Sequence, residues 1–416
     1  MGCGRPDPDE RDHAMPPSPG PRRPTPPSTW LIPLGILITL PVLVFYYRPA
    51  GGGLDVTGHP IGRDFINAWA GPRLAFSGQL DTLFDLKAYH AAIGTLFGSP
   101  LPFHNWSYPP FTLLLLGPLG QLPYFVALAV WTIGLFAAFA GVTLSCVPRG
   151  QRRHALLMLA LAPACLINAV GGQNGFLTGT LLLGGLLALD RRPVLAGILF
   201  GLLTYKPQLG LVLPPVLIAL GAWRTIAAAC TTTLALVGAS ILAFGSDPWR
   251  HNLGETSAYL YGLLDAFDGF YQFMMASVFA GARTFGLSMG AAWGLQLLVA
   301  IPVLAATAWA VRRTRDRVQR AGLVATAVPL LTPYAFNYDL TLVAAVLVWR
   351  ISAAEPGSRP DWVTVLAWLS PTLMIPVQMM NFGGMPVVLV ALFGILVWEV
   401  AQPRLEPARE PAPALP

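Results

Sequence analysis

Charge is what this chain has least of. Only 11% of its 416 residues are Asp, Glu, Lys or Arg, against 54% hydrophobic, and the mean hydropathy is +0.58. A soluble domain carries about a quarter charged residues, so a water-soluble fold is excluded. Cysteine is scarce too: Cys3, Cys146, Cys165 and Cys230 show no CxxC or metal-ligand spacing, and three of them fall in or beside apolar runs. That excludes a disulfide framework and a zinc site and leaves core thiols. HExxH, Walker and GxGxxG motifs are missing, so metalloprotease, P-loop and dinucleotide chemistry have no foothold. The net charge of +6 comes from short basic clusters between apolar runs, which fits membrane topology and gives no reason to invoke nucleic acid.

What is present is stretch after stretch long enough to cross a hydrocarbon core about 30 Å thick. The runs are continuous, without the ten-residue alternation of a barrel, so an all-α polytopic membrane protein with about twelve transmembrane helices is expected. The spans are placed at 30–47, 123–146, 154–171, 175–189, 193–206, 207–222, 225–244, 289–311, 320–335, 338–350, 362–379 and 385–401. The stretches 108–120 and 270–286 are apolar but short or broken by Pro and Gly, and read as re-entrant or interfacial pieces. The first run has no small-residue cleavage site after it and reads as a retained helix.

Alternate connections carry the basic residues: Arg149/Arg152/Arg153, Arg191/Arg192, Arg224, the run 312–320, Arg350/Arg359 and Arg404. By the positive-inside rule these face the cytoplasm of a multi-pass plasma-membrane protein. Tails rich in Pro and Arg, 1–29 and 402–416, read as disordered and cytoplasmic, flanking one domain over 30–401. The opposite connections are polar, aromatic and acidic. Among them, 48–107 is long enough to require a function and carries two amphipathic segments, one led by Asp64 and one from Lys87 to Phe97. These predict interfacial helices roofing a lipid-facing groove.

The residues along this face resemble a known family. Asp64-Phe65 with Trp69, Gly78 with Leu83-Phe84-Asp85, Tyr108-Pro109-Pro110-Phe111, Leu122-Pro123-Tyr124, Gly172-Gln173-Asn174, Lys206-Pro207-Gln208 and Tyr338-Asp339 follow one another in order and spacing. In this the chain resembles glycosyltransferase family 87, the polytopic GT-C-type enzymes that include polyprenyl-phosphate-mannose-dependent α-1,2-mannosyltransferases. The resemblance implies an acidic catalytic base in the first outer loop, here Asp64. It also implies a polyprenyl-phosphate sugar donor, a glycolipid or cell-envelope glycan acceptor in contact with membrane lipids, and inverting transfer on the outer face. No cofactor or metal is expected.

Physical chemistry supplies further candidates. Lys206 is the one cation inside the apolar tract 193–222, and ionisable residues at membrane depth are functional by default, which suits a partner for the departing phosphate. Gln173, Asn174, Gln208, Tyr108, Arg63, Tyr338 and Asp339 complete the expected substrate-binding set. Each has a plainer rival role. Asp64 and Asp339 could cap helices, Lys206 could snorkel, Gln173 and Asn174 could form a polar turn, and Tyr108-Pro109-Pro110 could only fix a bend. A transporter or lipid flippase of similar helix count is the competing function, although the long first loop has no counterpart of similar content in the second half to suggest a repeat, 246–288 being a partial candidate. A non-catalytic membrane scaffold, and an arabinosyl or glucosyl transferase on the same architecture, also stand.

Overall fold

The computed structural model describes residues 29–102, 104–355 and 358–402. The tails expected at 1–29 and 402–416, with Cys3 and Arg404, therefore lie outside the described residues apart from Thr29 and Gln402. The described chain is mostly helical, with a short antiparallel hairpin, Pro49–Gly51 with Leu54–Asp55, and irregular connections. It is an all-α membrane protein.

Four helices have the length and apolarity of a span: Tyr124–Leu144, Trp223–Phe244, Met289–Arg313 and Trp362–Met379. The run expected at 154–171 is a bent pair, Arg149–Ala160 and Pro163–Val170, meeting at 55°. Pro163 opens the second helix at a position where its missing N–H costs nothing. Other expected spans form shorter apolar helices, including Leu31–Tyr47, Gly175–Ala188, Pro193–Leu203, Thr341–Ala353 and Met385–Ala401. The segment 207–222 is divided into a tight turn, Pro207–Gly210, and a helix, Leu213–Ala219. The two ambiguous stretches become the short helices Thr112–Gly120 and Val278–Thr284.

In lipid no hydrophobic force drives helix against helix, so packing depends on close approach of small residues. Helix Pro193–Leu203 shows this against Trp223–Phe244. A Cβ on Gly197 would lie 2.5 Å from the Ala228 Cβ, and one on Gly201 would lie 2.5 Å from that of Thr232. Any side chain at either position would push the pair apart.

The polar connections sort into two sets by the contacts they make. Arg320 pairs with Asp190 at 2.7 Å, and Arg350 pairs with Glu399 at 2.6 Å and with Asp361 at 3.6 Å, which gathers basic connections at one end. At the other end the Ala276 amide donates to the Ala335 carbonyl, and the Asn337 amide to that of Met274. The Gln378 amide joins them on the Met275 carbonyl.

The first long connection is a folded layer. Its two expected helices are present as Phe65–Phe76 and Leu86–Phe97. Phe65, Ile66, Tyr89 and Ile93 are fully buried there in a core separate from the main one, at about 1.5–3 kcal/mol for each large apolar side chain. Hydrogen bonds pin the layer down: Trp69 Nε1 donates to the Leu122 carbonyl at 2.9 Å, and the Tyr124 hydroxyl to that of Ile61 at 2.8 Å.

Candidate active site

Four interruptions between helices, at Asp64, at Gln173-Asn174, at Lys206-Pro207 and at Tyr338-Asp339, bring the polar residues together. Asp64 stands at the start of helix Phe65–Phe76, yet its side chain makes no capping bond. Its carboxylate instead accepts from Gln173 Nε2 at 2.5 Å. That approach depends on Gly172, in the left-handed region at φ +59°, where a Cβ would strike the Gly62 carbonyl and come within 2.6 Å of the Phe65 Cβ. Gly172 is thus both a turn and the dock for the first loop. Its carbonyl accepts from Trp131 Nε1 at 3.1 Å.

Asn174 precedes helix Gly175–Ala188 and bridges two partners. Its Nδ2 donates to the Tyr108 hydroxyl at 3.0 Å and its Oδ1 accepts from Lys206 Nζ at 3.1 Å. Pro207 disfavours helical backbone at the residue before it. Lys206 accordingly leaves the helix at φ −134°, ψ 69° and reaches Asp339 Oδ1 at 2.6 Å. Its ammonium lies 5.0 Å from the Tyr338 ring centroid. Asp339 is 3% exposed and Lys206 7%, so the ion pair is sheltered from water, where its members hold each other. Asp339 does not cap the next helix; its second oxygen accepts from the Phe336 amide at 3.0 Å.

These residues face a cavity of about 550 Å³. Of the expected set, Asp64, Gln173, Asn174, Lys206, Gln208, Tyr108 and Tyr338 lie on its wall. Asp339 sits behind Lys206, and Arg63 turns away. A backbone φ of +37° at Arg63 directs its guanidinium to Asp55 at 2.8 Å and over the Tyr47 ring, 4.0 Å from the centroid. Proximity to Asp64 in sequence therefore does not carry into the cavity.

Other wall residues had no sequence signal. Asn67, Asn105, Tyr205, Asn252, Tyr271 and Tyr334 are single polar or aromatic residues in apolar or loop surroundings. The segment 252–274, which includes the helix Ser257–Ala266, lines one wall of the cavity, held by Asn252 Nδ2 on the Tyr108 carbonyl at 3.2 Å and by hydroxyl bonds from Tyr271 to the Leu263 carbonyl and from Tyr334 to that of Leu260. Two apolar clefts adjoin: one of about 420 Å³ shares Tyr108, Asn174 and Tyr205 with the cavity, and one of about 560 Å³ shares Pro207. Among the described residues no group of three His, Cys, Asp or Glu converges.

His59 lies in the first loop, against Arg63 and 5.6 Å from the His104 ring. Burial, then the positive Arg63 and His104, push its pKa down to about 4, against the opposing pull of Asp55 and Asp64. The unfolded imidazole takes up a proton below about 6.5, and the folded one resists until about 4. The stability tied to neutral His59 is therefore complete above that range and lost as pH falls through it. Protection factors of residues 48–63 in hydrogen exchange, taken relative to the intrinsic rate at each pH, are expected to fall between pH 6.5 and 4 in wild type and to change less in His59→Gln; an equal fall in both would remove His59 as the cause.

The carboxylate, the amide pair and the buried cation together can take a proton at one end of a substrate and stabilise negative charge at the other. The family model for glycosyltransferase family 87 matches residues 106–333. The match includes Tyr108, Gln173, Asn174, Lys206 and Gln208 and leaves Asp64, Tyr338 and Asp339 outside. A polyprenol-phosphate-mannose-dependent alpha-(1-2)-phosphatidylinositol pentamannoside mannosyltransferase of Mycolicibacterium smegmatis is 28% identical over 320 residues, 73% of this chain and 72% of that protein. No solved structure gives a significant match. With more than half its length matched and a polar cavity set among its helices, the chain belongs to glycosyltransferase family 87 and is a membrane glycosyltransferase.

Proposed function

We propose that the protein transfers mannose from a polyprenyl phosphate to a lipid-linked or cell-envelope glycan acceptor at the outer face of the plasma membrane. The observation that carries this reading is the single cavity on which Asp64 and Lys206 converge, joined by the Gln173–Asn174 pair. The choice of mannose and of a polyprenyl carrier rests on the donor named for the mycobacterial relative.

In the proposed step, Asp64 accepts the proton of an acceptor hydroxyl as its oxygen attacks the anomeric carbon. The bond from that carbon to the phosphate oxygen breaks with inversion, and the polyprenyl phosphate leaves with one further negative charge. Lys206 meets that charge from a site that excludes bulk water, where a fixed cation acts more strongly than in solution. Two of its three N–H donors are committed to Asp339 and Asn174, which fixes its position before substrate arrives. Gln173 positions the Asp64 carboxylate. The apolar cleft bounded by Tyr108, Asn174 and Tyr205 suits the polyprenyl chain, since it meets the polar cavity beside Lys206. The proposal assigns both the proton and the leaving charge to side chains of the chain itself. About twelve helices crossing the bilayer, some short, with basic connections and both termini on the cytoplasmic side, complete the reading.

Donor class is the first thing to measure. Purified protein in nanodiscs, given an envelope lipid extract, is expected to transfer radiolabel from polyprenyl-phosphate-mannose and none from GDP-mannose. Preference for a glucosyl or arabinosyl lipid phosphate would keep the mechanism and replace the sugar. Use of the nucleotide sugar would overturn the reading.

A further inference from the structure

The residue immediately before Asp64 stands in a conformation that a side chain disfavours. Arg63 has φ +37° and follows Gly62 at φ +88°. The glycine is required by its surroundings: a Cβ there would lie 2.7 Å from Leu128 Cδ1, and Gly172 packs against its carbonyl. Arg63 carries a full side chain in a region that glycine enters freely, and such strain persists only where the surroundings over-determine it.

The contacts of the guanidinium supply that determination. Its Nε donates to Asp55 Oδ2 at 2.8 Å, and its Nη2 donates to the Tyr46 carbonyl at 2.5 Å and to the Thr57 hydroxyl at 3.0 Å. Asp55 is prepared for the contact. It is buried, and its other oxygen accepts from the Thr57 amide and hydroxyl and from the His59 amide. Tyr46 and Tyr47 end helix Leu31–Tyr47, whose last carbonyls have no partner within the helix, so a cationic donor is favoured there. One side chain thus joins the end of the first helix, the hairpin after it and the turn into helix Phe65–Phe76. None of these partners lies on the cavity wall.

The turn itself is tight. The Arg63 amide donates to the Pro60 carbonyl at 2.7 Å and the Phe65 amide to the Gly62 carbonyl at 2.8 Å. Asp64 makes no capping bond, so its carboxylate takes its place from this backbone and from Gln173.

We infer that Arg63 is a positioning residue for the base: its guanidinium holds the left-handed turn that aims the Asp64 carboxylate at the acceptor hydroxyl. The inference rests on the proposed role of Asp64 and adds to it a residue off the cavity wall. Misplacing a reacting group by about 1 Å costs up to about 10² in rate. Loss of the tether therefore lowers turnover, while Lys206, Asn174 and the apolar cleft still hold the donor.

The experiment follows transfer from radiolabelled polyprenyl-phosphate-mannose in nanodiscs for Arg63→Gly and Asp55→Asn, each alone and combined with Asp64→Asn. Arg63→Gly removes the tether while allowing the turn its φ, and Asp55→Asn weakens the same tether from its other end, so a folding defect peculiar to one variant does not decide the result. Each alone is expected to lower kcat about ten- to hundredfold, with the donor KM within about twofold of wild type. Combined with Asp64→Asn, neither is expected to reduce the residual transfer further, because the group they position is gone. A clamp that only stabilised the loop would multiply the two losses. Wild-type kcat in both single variants, a loss carried by the donor KM, or full multiplication with Asp64→Asn would each overturn the role of Arg63 and leave that of Asp64 standing. Wild-type transfer by Asp64→Asn alone would instead remove the base, and the role of Arg63 with it.

Discussion

Lys206→Met is expected to lose both stability and transfer, and the double variant Lys206→Met/Asp339→Asn to recover only the first. Lys206 and Asp339 form a buried pair at 2.6 Å. Removing one member of such a pair leaves the other as an uncompensated charge, at a cost of about 3–5 kcal/mol, and neutralising both members removes that cost. Asn at 339 keeps an acceptor for the Phe336 amide, which the native carboxylate accepts at 3.0 Å, so the turn before helix Thr341–Ala353 is preserved. Transfer behaves differently because no neutral side chain replaces the cation at the leaving phosphate. Loss of one such electrostatic contact costs about 10²–10³ in turnover. Thermal unfolding in detergent should place the double variant near wild type and the single variant well below it, with turnover low in both. A double variant with wild-type turnover would reduce Lys206 to a structural role.

The sequence and the structure agree most where a single physical rule governs. Continuous apolar runs give Trp223–Phe244, Met289–Arg313 and Trp362–Met379 nearly as expected, because length and hydropathy alone decide a simple span. They diverge where proline or glycine divides a run. Pro163 bends one expected span, and Pro207 and Gly210 interrupt another; composition marks such breaks without fixing their angle. The site was legible as residue types: polar or charged side chains in otherwise apolar chain segments, as with Lys206 and Gln173-Asn174. Its pairings were not. Asp64 and Gln173 are 109 residues apart, and Lys206 and Asp339 are 133 apart, so only the packing of intervening helices sets which partner each one meets. Arg63 shows the converse, since its neighbour Asp64 faces the cavity while one left-handed residue sends Arg63 elsewhere. The segment 252–274 could not be recognised as a wall because its polar contributions are isolated Asn, Thr, Ser and Tyr residues without charge, set among Leu and Met.

Asp64→Asn is expected to abolish most transfer while leaving the protein folded and able to hold its donor. The carboxylate is exposed to the cavity and makes no cap to its own helix, so the structural burden on it is small. Asn is nearly isosteric, and its carbonyl oxygen can still accept from Gln173, so the wall keeps its shape. What is lost is the capacity to take the acceptor's proton, and a positioned general base contributes about 10²–10⁴ in rate. Lys206, Asn174 and the apolar cleft are untouched by the change, so affinity for a lipid phosphate should persist.

The decisive measurement is therefore made on wild type and Asp64→Asn side by side in nanodiscs, following radiolabelled polyprenyl-phosphate-mannose both bound to protein and transferred to acceptor. A fall in transfer of about 10²–10⁴ with donor binding retained is the predicted result. Transfer at the wild-type rate by Asp64→Asn would contradict the assignment of Asp64 as the base.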